Sequence, residues 1–305
     1  MRSQARPFGH VDWAAIAFVT LSALGGVVLL WAITSVLNST HGLGFDTRAY
    51  WGYPRDEVYS PLPTLSAGYG FYRYSPVFVP LMTLWTAIPW PVFVTAWFAV
   101  GVVLYVWMVG PWALALLAIP VFAVELFIGN VHLLLALAIV LGFRWPAAWS
   151  FVLLTKVTPG VGLLWFAVRR EWRSLAIALG VTAAIAAVSL ALTPDLWAEW
   201  LRSLTQTSEP GSGNTVAIPL PYRVVAAAVL VVWGARTDRR WTVVVAATIS
   251  IPVLWLNGLA MLAGVVALHR GFPERLHGQF DWLAGLLRGR GTQPTIAPTP
   301  HGVAR

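Results

Sequence analysis

Apolar residues fill the chain in long runs, and polar residues are gathered into a few intervals between them. The first run, Trp13 to Leu37, has 25 residues and no charge. About 20 apolar residues in helical form cross the ~30 Å hydrocarbon layer of a bilayer, so this run predicts a membrane-spanning helix. It is longer than the apolar stretch of a secretory signal, and Asn38-Ser39-Thr40 after it is not a small-residue cleavage site. Residues 38–75 form a polar, glycine-rich and aromatic interval, and a connection of that length predicts a functional loop. Beyond it the chain is apolar almost without pause to residue 168, divided by Pro and Gly into pieces near 76–90, 92–109, 111–128, 131–143 and 146–168. Further runs cover 174–192, 223–234 and 242–268, the last interrupted by Pro252 and Asn257. A second polar interval, 193–222, lies among them. Residues 279–287 have the spacing of an amphipathic surface helix. The Pro/Thr-rich stretch 291–305 lacks the apolar residues that a packed core needs. The pattern predicts an all-α, polytopic transmembrane helical bundle of about nine spanning helices, eight to ten in range. Its transmembrane domain would cover 1–270, with a cytoplasmic or interfacial tail over 271–305.

Composition removes the soluble alternatives. The chain has 305 residues, of which 58% are hydrophobic and 10% charged, against about 25% charged in a soluble domain. With no cysteine, disulfides and cysteine-ligated metals are excluded. The net charge of +8 is no nucleic-acid signature, because the bases fall in short clusters between apolar runs. Arg169, Arg170 and Arg173 form one cluster, and Arg236, Arg239 and Arg240 another. Positive clusters mark cytoplasmic loops. The N-terminus, with Arg2 and Arg6, is therefore also expected in the cytoplasm, and the intervals 38–75 and 193–222 outside. Five crossings between 75 and 169 satisfy this parity, and so do three with re-entrant pieces. Nineteen of the twenty bases are Arg. Together with abundant Ala, Gly, Val, Pro and Trp, this points to a GC-rich bacterial genome, hence a bacterial plasma membrane.

Few residues can then carry chemistry. The carboxylates of the exterior intervals are Asp46, Asp56, Glu57, Asp195, Glu199 and Glu209. Asp46 stands about nine residues beyond the first span, in Gly44-Phe45-Asp46-Thr47-Arg48-Ala49-Tyr50. That tether holds it at the membrane–water boundary, where a lipid-linked substrate presents its headgroup; it could equally pair with Arg48 or cap a short helix. Phe71-Tyr72-Arg73-Tyr74-Ser75-Pro76 is either an interfacial aromatic belt or a rim that stacks a sugar or isoprenoid and offers Arg73 to a phosphate. Lys156, the single lysine, lies about a dozen residues from the nearest arginine cluster, ~18 Å along a helix. It cannot reach water by snorkelling, and a buried charge is costly unless paired or hydrated. The following Thr158-Pro159-Gly160 frees backbone carbonyls, as in a broken helix beside a cavity. Lys156 is thus a functional candidate, with a structural pair to Glu125 as the plain alternative. Gly129-Asn130-Val131-His132 opens another span with two polar residues, for which a helix–helix hydrogen bond is the plain expectation. No phosphate-binding glycine loop, dinucleotide fingerprint or HExxH zinc motif is present.

In order, these pieces resemble the polyprenol-phosphate-sugar-dependent glycosyltransferases of the GT-C fold, and more closely glycosyltransferase family 87, which includes mycobacterial α-mannosyltransferases. The resemblance runs through Phe45-Asp46 with Tyr50, then the rim Tyr72-Arg73-Tyr74-Ser75-Pro76, then Gly129-Asn130-Val131-His132. It continues with Lys156-Val157-Thr158-Pro159 and the basic loop Arg169-Arg170-Glu171-Trp172-Arg173, and ends at Asn214, covering about residues 13–215. His132 stands where the family tends to have Asn, and the region after Asn214 is compressed.

The resemblance implies a membrane enzyme that moves a sugar, mannose by default, from a polyprenyl-phosphate donor to a glycolipid or lipoglycan acceptor on the exterior face. Asp46 would be the general base on the acceptor hydroxyl. Lys156, Arg73 and Arg48 would steady the departing lipid phosphate, and Tyr50, Tyr74, Asn130, His132 and Asn214 would shape the sugar and lipid pocket. No cofactor and no metal is implied, and membrane lipids are the surroundings. The competing reading is a lipid or small-solute transporter or flippase. That predicts paired internal repeats with matching discontinuous helices, and none is visible. A family member that has lost its activity is the other.

Overall fold

The computed structural model describes residues 12–38, 43–52, 58–59, 72–206 and 218–271. Asn214, the tail from 272 on and most of the interval 38–75 lie outside them. Among the described residues the chain is helical, with no β-strand. In a bilayer a backbone must satisfy its own hydrogen bonds, which the α-helix does within one segment.

Fourteen α-helices follow in chain order: α1 Trp13–Asn38, α2 Phe45–Trp51, α3 Val79–Trp85, α4 Trp90–Val109, α5 Ala113–Leu117, α6 Pro120–Ile128, α7 His132–Gly142, α8 Trp149–Thr155, α9 Leu164–Val168, α10 Trp172–Leu192, α11 Pro194–Gln206, α12 Leu220–Arg236, α13 Trp241–Ile249 and α14 Ala263–His269. Short 3-10 segments at Thr158–Leu163 and Leu256–Leu262 join α8 to α9 and lead into α14.

Among the described residues three stretches are long and apolar enough to cross a membrane: Trp13–Trp31 in α1, Trp90–Leu117 through α4 and α5, and α10. A fourth is added if α6 and α7, bent by 105° at their junction, count as one span. The expected nine do not appear as nine long helices, because several of the apolar runs are broken. The run 76–90 keeps only α3 with a short 3-10 lead-in, its prolines Pro76 and Pro80 at helix starts. The run 146–168 breaks at Lys156, where the backbone turns extended (φ −142°, ψ 115°), and a 3-10 segment with Pro159 in its first turn follows. The run 242–268 breaks after Ile249.

The long helices present apolar side chains outward. Val188 and Leu192 of α10 and Val27 and Leu30 of α1 are exposed, which suits lipid contact and not water. Where helices meet, small residues let them approach: at Gly25 of α1 a Cβ would collide with the carbonyl of Leu114 on α5. The dry core lies between α4, α7, α13 and α14, around Met108, Leu135, Ile139, Val244 and Met261.

The bundle has two polar ends. At one, Arg169 donates to Glu171 (2.8 Å) and to Asp238 (2.9 Å), tying the two arginine clusters together. Arg270, at the foot of α14, reaches the carbonyls that close α4. At the other end lie α2, the segment from Tyr72 to Ser75, and α11, whose Trp200 donates to the carbonyl of Arg73 (3.3 Å). Residues 76–88 leave this end and return to it, since Trp51 of α2 donates to the carbonyl of Ile88 (2.7 Å).

Candidate functional site

The junction of α6 and α7 builds the site. Gly129 ends α6 in the left-handed region (φ 70°), a conformation glycine adopts without steric cost. The last carbonyls of α6 need donors, and α2 supplies them. Gly44 donates its N–H to Phe127 (2.8 Å), and the Thr47 hydroxyl donates to Gly129 (3.1 Å). The Trp97 indole donates to the same Gly129 carbonyl (2.9 Å). Docking Thr47 there carries its neighbour Asp46 to Asn130, which donates to the Asp46 carboxylate (2.5 Å). Asn130 is itself held by the backbone N–H of Val131 (2.7 Å). Burial pushes the Asp46 carboxyl above its ordinary range, while the Asn130 hydrogen bond pulls the other way. Asp46 therefore neither caps α2, whose N-cap is Gly44, nor leans on Arg48, whose guanidinium lies 4.5 Å over the Trp90 ring.

A second group of polar residues runs inward from the same junction. Glu125 accepts the backbone N–H of His132 on one oxygen (2.9 Å). Its other oxygen faces His132 Nδ1 (2.9 Å) and accepts from Asn257 (2.8 Å). His132 Nε2 then meets Lys156 Nζ (2.9 Å). A carboxylate only accepts, so Nδ1 carries the imidazole proton and Nε2 offers a lone pair to the ammonium. Glu125 and His132 are sealed at 1% exposure, whereas Lys156 is partly open. The expected alternative of a Lys156–Glu125 pair is thus met only through His132.

Three broken runs meet here. Glu125 and His132 flank the α6/α7 break, Lys156 stands at the break after α8, and Asn257 follows the break after α13. The Thr158 hydroxyl donates to Ser250 (2.5 Å), linking the last two. Arg223, buried, donates to the carbonyls of Ile249, Ile251 and Pro252 at 2.7–2.9 Å, satisfying the backbone that the break after α13 exposes, and to that of Ile218 ahead of α12 (2.8 Å). Irregular backbone at membrane depth is tolerated where protein satisfies it in this way.

Tyr50 and Tyr74 also come together, their hydroxyls 3.0 Å apart, but as buried residues. Tyr50 packs on Trp97 with ring centroids 5.3 Å apart, Tyr72 packs edge-on against Tyr74, and Tyr59 donates to the carbonyl of Tyr74 (2.7 Å). They form a wall beside Asp46. Ser75, next to this wall, keeps a buried hydroxyl with no partner among the described residues. A shallow groove of about 30 Å³ lies between α4 and the α6/α7 junction, lined by Trp97, Gly101, Leu104, Glu125, Asn130 and Leu134. Of the other expected cations, Arg73 is partly exposed at the rim and Arg48 turns to Trp90. The constellation thus unites Asp46, Asn130, His132, Lys156, Tyr50 and Tyr74. Glu125 and Asn257 belong to it too. In the sequence Glu125 stands out only as the alternative partner of Lys156, and Asn257 only as an interruption of an apolar run. A lone amide inside an apolar run is itself the signal that finds it.

A family model matches residues 71–277, under the description glycosyltransferase family 87. The match takes in the Tyr72–Pro76 rim, the Gly129–His132 junction, Lys156 and Asn257, and begins after Asp46, which reaches the matched part through Asn130. No curated protein and no solved structure matches the chain. With more than half of its residues matched, the chain belongs to glycosyltransferase family 87, a family of membrane glycosyltransferases.

Proposed function

We propose that this transferase moves a sugar, mannose by its resemblance, from a polyprenyl-phosphate donor to a hydroxyl of a glycolipid or lipoglycan. The reaction takes place at the exterior face of a bacterial plasma membrane, on a GT-C-like bundle. One observation carries the assignment of roles: the Asp46 carboxylate rests on Asn130 at the same helix junction that leads, through His132, to Lys156. The proposed base and cation are thus linked through Asn130 and His132, two positions apart at one helix junction. Nucleotide sugars are cytoplasmic, so an exterior site needs a donor delivered by lipid, and an apolar bundle can hold the tail.

In this mechanism the acceptor oxygen attacks the anomeric carbon as the bond from that carbon to the phosphate oxygen breaks. The acceptor's proton passes to Asp46, and the lipid phosphate leaves with the electron pair. Lys156 lies against the phosphate and steadies its charge; Arg73 and Arg48 remain rim candidates for the same task. The tyrosine wall bounds the sugar, and the unpartnered Ser75 hydroxyl offers it a hydrogen bond. Asn214 is assigned to the pocket by resemblance alone. This account asks no metal or cofactor to take a step.

The test is transfer by membranes carrying the protein, supplied with radiolabelled polyprenyl-phosphate-mannose and a host lipid extract. Wild type is expected to label the lipid and Asp46→Asn to lose ~10²–10⁴-fold in rate. Undiminished transfer by Asp46→Asn would sink the assignment of the base.

A further inference from the structure

We propose that Glu125, with Asn257 behind it, is a positioning residue that makes Lys156 a usable hook for the donor phosphate by fixing the tautomer of His132. The inference rests on the role given to Lys156 above. A lone ammonium in a membrane bundle needs a counter-charge. A carboxylate in direct contact would supply one and also occupy the N–H groups that a phosphate must use. The structure separates the two: an imidazole stands between Glu125 and Lys156, with 2.9 Å on each side. The group of four is neutral as a whole, yet the ammonium gives only one N–H to it, to His132 Nε2. Among the described residues the ammonium has no other hydrogen-bond partner, and Lys156 is half-buried where Glu125 and His132 are fully buried.

The donors around Glu125 require a carboxylate and not merely a polar group. His132 gives its backbone N–H to one oxygen, and the other oxygen takes His132 Nδ1 and Asn257 Nδ2. Glu125→Gln has the same shape, but its single acceptor is claimed by the backbone N–H of His132. Its amide nitrogen must then face Nδ1 and donate. That moves the imidazole proton to Nε2, where it is aimed at the Lys156 ammonium, donor against donor. The ammonium is turned away and its counter-charge is lost in the same substitution.

The experiment measures transfer with donor and acceptor each varied, in wild type, Glu125→Gln, Lys156→Met and the double variant. Glu125→Gln is expected to raise the donor KM by about tenfold or more while the acceptor KM stays within about twofold. Lys156→Met is expected to raise the donor KM at least as far. In the double variant the change at Glu125 should add nothing, because it acts only through Lys156. Effects that multiply, or donor and acceptor KM rising together, would overturn the proposal and leave Glu125 as plain helix glue. If Lys156→Met leaves the donor KM untouched, the phosphate role of Lys156 has failed and the proposal fails with it, whatever happens at Asp46. If Glu125→Gln does not accumulate in membranes, Asn257→Ala removes one donor from the same carboxylate. It should raise the donor KM alone by a smaller factor of about three; an unchanged value overturns the proposal.

Discussion

Asp46 and Asn130 make the sharpest statement at the scale of single residues. A general base must be ionised, so transfer declines as pH falls through its pKa. Burial holds the Asp46 pKa above the ordinary carboxylate range, so the acidic limb of the pH–rate profile should lie higher than an exposed Asp would put it. The Asn130 hydrogen bond favours the charged form and opposes that shift. Asn130→Ala should move the acidic limb to still higher pH and lower the rate at neutral pH by roughly tenfold; a pH–rate profile of each protein checks the sign. Asp46 could be picked out by its distance from the first span, and Asn130 and His132 by being polar at the mouth of an apolar run. What the sequence did not carry was their pairing. Asp46 meets Asn130 across 84 positions because Thr47 caps the carbonyl of Gly129, and no local pattern encodes that contact. Arg48, also a candidate cation, has its guanidinium over the Trp90 ring rather than beside Asp46. Two positions beyond Asp46 on a helix is roughly the opposite side.

At the scale of elements, the breaks matter more than the helices. Hydropathy counts apolar residues, and it found nearly every helical run. It could not see how each run would be divided, because division depends on donors brought from elsewhere. Arg223 is such a donor. It opens the run 223–234, where nothing in the local pattern marks it, and it clasps the carbonyls of Ile249, Ile251 and Pro252 around the break after α13, together with that of Ile218. Arg223→Leu should cost roughly 2–4 kcal/mol of stability, since four carbonyls lose their donor at once. Thermal unfolding in detergent would show this as a lowered midpoint, and Arg223→Lys should recover only part of it, because one ammonium cannot span the fork. The α6/α7 junction makes a parallel case. A Cβ on Gly129 would meet the Thr47 hydroxyl and would have to sit at positive φ, a strain of about 1–2 kcal/mol for a residue with a side chain. Gly129→Ala should undock α2 and abolish transfer while leaving the long helices formed. Adding Thr47→Ala, which removes the colliding hydroxyl, should restore some of the lost stability.

At the scale of the whole molecule, the two polar ends give the bundle a direction. The arginine clusters at 169–173 and 236–240 are far apart in sequence, yet Arg169 touches Asp238, as two loops on one side of a membrane must allow. α10 then runs 21 residues from the arginine end to α11, ~32 Å at helical rise, the thickness of a bilayer core. α11 itself carries Leu201 and Leu204 exposed beside Trp200, and Trp200 holds the rim at Arg73. A helix with that face, starting where a span ends, belongs in the plane of the interface. The positive-inside rule predicts the arginine end in the cytoplasm and the Asp46 end outside. The absence of cysteine makes this directly testable, since any introduced thiol is the only one. Ala198→Cys, exposed on α11, should react with a membrane-impermeant maleimide in intact cells. Thr237→Cys, exposed between the arginines of the second cluster, should react only after the membrane is opened. The opposite result would put Asp46 and Lys156 on the side where nucleotide sugars are abundant. The physical case for a lipid-delivered donor would then be gone, while membership of the family would stand.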